Sequence, residues 1–119
     1  MKSSTPNEVG STTIPVFDID THFTEPADLW TSRAPAKFKD EVFHVRTKAN
    51  GAQAWFVQDR EIGMIGPSVI DANFGKHLHA YTLPRFELMA RASTYGPERL
   101  QYMDTAGVGT QILYPNIIG

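Results

Sequence analysis

Cysteine is absent from the 119 residues. That excludes disulfides, thiolate metal sites and cysteine nucleophiles, and leaves the redox compartment undetermined. Long apolar runs are missing as well: no stretch approaches the roughly 20 residues that cross a bilayer. Charge of one sign is scarce, since 11 Lys and Arg against 13 Asp and Glu leave a net charge of −2. Without a positive field, neither nucleic acid nor an anionic membrane is an expected partner. The sequence contains no glycine-rich phosphate loop, no internal repeat and no low-complexity tract. Met1–Thr13 is polar and has no secretory hydrophobic stretch, so the expectation is a flexible tail and a cytoplasmic address. What is present, 41% hydrophobic and 20% charged residues, fits one ordinary folding unit with a modest core.

Val16–Thr21 reads as the first strand. Pro15 precedes it, and Phe17 and Ile19 alternate with Asp18 and Asp20. A turn follows at His22–Pro26, then short helical pieces to Glu41, with Pro26 and Pro35 suited to first helical positions. Val42–Arg46, Ala54–Gln58 and Ile62–Ile65 read as three short strands, turned at Asn50-Gly51 and Asp59-Arg60. They predict a small antiparallel meander over about 42–66. Gly66–Leu83 has no clean period and reads as a long loop. Arg85–Ser93 and Pro97–Ala106 read as helices, the second bounded by Pro97 and Gly107. Thr110–Tyr114 is a second major strand, stopped by Pro115. Strand, insertion, helix, strand predicts a parallel pair joined by a crossover.

The chemistry concentrates on the first strand. Asp18, Asp20 and His22 sit two apart, and a strand places such residues on one face. A carboxylate and an imidazole at the end of a strand fit two ligands of a divalent metal. The alternative is that the aspartates cap nearby loops and His22 packs. Glu25 either orients a ligand and lines a substrate pocket, or is an acid at a helix start before Pro26. Trp30 reads as a core or rim aromatic. His77-Leu78-His79 is a His-x-His motif, but no strand precedes it, so a solvated loop or a pocket lid is expected. Arg85, Arg91 and Arg99 either contact a carboxylate substrate or, as is usual for helix-surface arginines, face water.

The run Phe17-Asp18-Ile19-Asp20-Thr21-His22-Phe23-Thr24-Glu25-Pro26, then Asp28-Leu29-Trp30, resembles the opening of the amidohydrolase-related proteins. The similar branch is the one typified by aminocarboxymuconate-semialdehyde decarboxylase and the resorcylate decarboxylases. A second similar block is Arg99–Asp104 with Gly107-Val108 and Gln111–Pro115. The resemblance implies an α/β fold: the N-terminal part of a metal-dependent (β/α)8 TIM barrel, over 14–119, with the meander as a small β insertion. It implies one divalent metal ion, zinc or manganese, with Asp20 and His22 on the two positions of the strand-one ligand motif. The remaining catalytic residues would lie beyond residue 119. The implied activity is that of a hydrolase or carboxy-lyase on a small carboxylated, cyclic or aromatic substrate, in a full-length protein that forms homodimers. The alternatives are a catalytically inactive fragment, a half-barrel needing a partner chain, and a small non-enzymatic binding module. Two strands and two ligands predict that the 119-residue chain alone is inactive.

Overall fold

The structure is a computed structural model and describes residues 14–67 and 83–117. The expected tail at Met1–Thr13, most of the Gly66–Leu83 loop and His77-Leu78-His79 lie outside the described residues. The described elements are β1 (Val16–Phe23), β2 (His44–Thr47), β3 (Gln53–Val57), β4 (Arg60–Met64), α1 (Gly96–Ala106) and β5 (Val108–Pro115). Three short 3-10 turns stand at Ala36–Phe38, Phe86–Leu88 and Arg91–Ser93.

Local chemistry accounts for most element boundaries. Pro15 precedes β1, where a missing N–H interrupts no ladder. Gly51 takes φ 82° in the turn between β2 and β3, and Asn50 Oδ1 accepts the Ala52 N–H at 3.1 Å. Pro97 lies in the first turn of α1. Gly107 ends the helix at φ 71°, the left-handed conformation that glycine adopts without a Cβ penalty.

β1 and β5 form a two-stranded parallel sheet, with Val16 opposite Val108 and His22 opposite Tyr114. Together with α1 they make one strand–helix–strand unit. β2, β3 and β4 form a separate antiparallel sheet in that order, with His44 opposite Phe56 and Ala54 opposite Met64. The core belongs to this second sheet. Trp55, Ile65, Leu83 and Met89 are buried together, and Trp30, Phe43 and Ile117 pack against them. The Trp30 ring meets Trp55 edge-on at 5.4 Å and Phe43 at 4.9 Å. Trp30 is thus a core aromatic.

Arg85–Ser93 is not the helix its spacing suggests. It is two 3-10 turns separated by extended backbone at Met89 and Ala90. Tertiary contacts override the local pattern here. The segment is tied to the start of β3, where Gln53 donates its N–H to Pro84 O at 2.7 Å and Gln53 Oε1 accepts the Phe86 N–H at 2.9 Å. Met89 and Ala90, adjacent in sequence, are both buried. An extended stretch sends neighbouring side chains in opposite directions and can bury both.

The barrel expectation is overturned. A (β/α)8 TIM barrel closes one parallel sheet with a helix after every strand. The described residues instead form two separate sheets, one of them antiparallel, with a single α-helix. The resemblance of the two end blocks to the amidohydrolase-related family therefore does not extend to its fold. The physical reason is legible in β1. Strands of a fully covered parallel sheet read as continuous apolar runs, whereas β1 carries two aspartates and leaves Phe17 and Ile19 open to solvent.

Candidate functional site

The polar groups singled out in the sequence gather along β1, and the strand separates them into two sets. The β1–β5 register is irregular between Asp18 and Thr21. Such an irregularity breaks the alternation of side chains. Asp18 and Thr21, three apart, consequently share the side that meets α1, and the Thr21 hydroxyl donates to Asp18 Oδ2. The same oxygen accepts from Gln111 Nε2 of β5 at 3.0 Å, and Asp18 Oδ1 accepts the Asp20 N–H at 3.3 Å.

Arg99 of α1 completes this network. Its Nη1 donates to Gln111 Oε1 at 3.1 Å, and its Nη2 donates to the backbone carbonyls of His22 at 3.0 Å and Ser93 at 3.4 Å. The Thr21 hydroxyl and the Asp20 N–H, then Gln111 and the Arg99 charge, hold the Asp18 carboxyl below the usual carboxylate range. The network joins three elements, and each carboxylate oxygen of Asp18 has a donor. Asp18 is therefore occupied as a structural acceptor.

Asp20 and His22 lie on the other, open face. His22 Nε2 is 3.8 Å from Asp20 Oδ1, and the His22 ring lies 5.9 Å from Tyr114, tilted by 44°. The structure thus brings together the two residues predicted as metal ligands and separates them from Asp18. They supply two donors, where a structural or catalytic zinc takes four ligands in all. No group of three or more His, Cys, Asp or Glu able to hold a metal occurs among the described residues.

Glu25 takes a different position. It is only 1% exposed, and its Oε1 accepts the Ile117 N–H at 3.1 Å. Oε2 is buried without a hydrogen-bond partner. Beside it, the buried Thr24 donates its N–H to Ser93 O at 2.8 Å and accepts from Asn116 Nδ2 at 3.1 Å. Glu25 and Thr24 fasten the segment after β5 to the segment after β1.

An open groove of about 680 Å³ lies elsewhere, between α1 and the segment around Met89–Ala92, lined also by Glu98 and Tyr102. Its Glu98 carboxylate already pairs with Arg91 at 2.6 Å. None of Asp20, His22 and Glu25 lines this groove.

Sequence reasoning set Arg99 aside as a surface residue and gave Gln111 no role. Arg99 looks like any helix-surface arginine. The available signal was Gln111, a polar side chain inside the apolar strand Val108–Pro115.

The metal-dependent amidohydrolase assignment, and with it the hydrolase, decarboxylase and carboxy-lyase readings, is corrected accordingly. The fold is not the barrel that positions such a site, and the described residues assemble no metal-ligand cluster. No protein-family model matches the chain, and no curated protein matches it.

Proposed function

We propose that this chain works by association rather than catalysis, as a small non-enzymatic module whose β1–β5 ribbon is completed by another polypeptide chain. The observation that carries this reading is a face of that ribbon that the described residues leave uncovered. Phe17 and Ile19 are 64% and 68% exposed, on either side of Asp18, whose carboxylate is tied through Gln111 to Arg99 of α1. Parallel sheets are ordinarily covered on both faces, and strand pairs become independently stable only with further strands or packing. Covering one such side chain fully contributes about 1.5–3 kcal/mol, enough for a few of them to drive association. Small-molecule turnover has no comparable support, because the polar network beside the ribbon is committed to joining α1, β1 and β5.

Hydrogen exchange on the dilute full chain tests this. Amides of Val16–Phe23 and Val108–Pro115 should exchange at least tenfold faster than those of Gln53–Val57, because the ribbon lacks its neighbours. Equal protection of the two sheets in the dilute chain would show a ribbon that needs no completion and would remove the reading.

A further inference from the structure

Asn50 carries an amide that its own chain can attack. It is exposed in the turn between β2 and β3, and Gly51 follows it. The nitrogen of the following residue closes a five-membered ring when it bonds to an asparagine Cγ, so the chain itself holds the two reactants together. A side chain on that following residue hinders the approach, and glycine has none. The space around Gly51 is open as well: a Cβ built there would meet nothing within 4 Å. Asn7, Asn73 and Asn116 are followed by Glu8, Phe74 and Ile117, each with a bulky side chain.

The turn also sets a donor on the oxygen where charge would develop. Asn50 Oδ1 accepts the Ala52 N–H at 3.1 Å. Attack at Cγ makes that carbon tetrahedral and puts negative charge on Oδ1, which a fixed backbone N–H stabilises. The Lys48 N–H, donating to Ala52 O at 2.7 Å, keeps Ala52 in place. One bond must first open, from the Gly51 N–H to Lys48 O at 2.9 Å. A bond in an exposed turn opens at far lower free energy than one in the core.

We propose that Asn50 is a self-modification site of the folded chain. The Gly51 nitrogen gives up its proton and bonds to Asn50 Cγ. The Cγ–Nδ2 bond breaks, and Nδ2 leaves with a proton as ammonia. Water then opens the cyclic imide. Opening at Cγ yields aspartate on an unchanged backbone; opening at the Asn50 backbone carbonyl carbon yields an isoaspartyl linkage, with one more carbon in the chain path. No oxidation or reduction is involved. Each product carries a carboxylate in place of the amide. Arg85 stands by this turn, its Nη1 donating to Gly51 O at 3.3 Å. In the aspartyl product the Ala52 N–H bond becomes charge-assisted.

The test is peptide mapping by mass spectrometry after the full chain is kept in mildly alkaline native buffer. The tryptic peptide 49–60 should exchange an amide for a carboxylate, and part of the product should be isoaspartyl, read by enzymatic methylation of that carboxylate. The folded chain should react within about tenfold of the rate of the same chain unfolded in urea, and faster as pH rises. Ala52→Pro, which removes the donor, should slow the folded reaction at least threefold; Ala52→Gly, which keeps it, should not. Tryptophan fluorescence of the core verifies that the variants fold, and the comparison with urea needs no variant. Reaction at Asn50 only in urea would overturn the proposal, as would a folded chain in which Asn116 reacts as fast. An unchanged rate in folded Ala52→Pro would overturn the part given to the Ala52 N–H.

Discussion

Asp18 accepts hydrogen bonds from the Thr21 hydroxyl, the Asp20 N–H and Gln111 Nε2, and the Arg99 charge lies beyond. Its carboxyl is therefore more acidic in the folded chain than in the unfolded one. A group lowered in this way contributes its stability above the ordinary carboxylate range and loses it as pH falls through the lowered folded value. Stability against urea should thus hold near neutrality and decline in acid. Glu87, lowered mainly by its hydrogen bond to Arg85, and Glu98, lowered mainly by its hydrogen bond to Arg91, act in the same direction. Asp18→Asn isolates one share of the effect: its urea midpoint should fall less steeply below the carboxylate range than that of the wild type. Parallel acid profiles for the two proteins would show that Asp18 titrates alike in both states. The pairing of Asp20 with His22 was legible from their spacing. Their separation from Asp18 was not, because the irregularity between Asp18 and Thr21 is set by the register against β5, a partner far away in sequence.

At the scale of elements, α1 is fixed by local chemistry that the sequence displays openly. Pro97 favours the first turn, and Gly107 supplies the left-handed residue that ends the helix. Nothing lies within 4 Å of a Cβ built at Gly107, so a substitution there tests backbone conformation without a clash. Gly107→Ala should destabilise the chain by about 1 kcal/mol, read as a lower urea midpoint with an unchanged slope. A neutral effect would mean that the helix ends without needing that conformation. The meander shows the same legibility, since Asn50-Gly51 marks a turn whose residues satisfy it locally. Arg85–Ser93 shows the limit. Phe86, Met89 and Ala90 stand at helical spacing, yet the contacts of this segment with Gln53 are decided by β3.

Across the whole molecule, the two sheets are joined through Ile117. Its N–H is held by Glu25, its side chain packs on the Trp55 cluster, and a Cβ on Gly63 of β4 would lie 3.6 Å from its Cδ1. Removing the acceptor from this buried contact leaves a donor unsatisfied, a loss of about 1–3 kcal/mol. Glu25→Ala should therefore lower overall stability by that order and uncouple the ribbon. Tryptophan fluorescence reports Trp30 and Trp55 in the core, and hydrogen exchange reports the ribbon. The two should give coincident transitions in the wild type and separate ones in the variant. Coincident transitions in Glu25→Ala would assign the coupling to other contacts. No signal in the sequence marked this joint. Glu25 reads as a helix-start acid or a site residue, and Ile117 as one more apolar residue after a proline.

Asp18 and Gln111, bonded across the ribbon, stand 93 residues apart in the chain. The three strands of the meander, by contrast, are joined by short turns. Closing a long loop carries an entropic cost that local pairings avoid, and topologies dominated by distant contacts form slowly. During synthesis β1 is made first among the described strands and β5 last. Phe17 and Ile19 are thus synthesised well before the strand that gives β1 its only described neighbour. The ribbon comes into being only after the meander can already have folded.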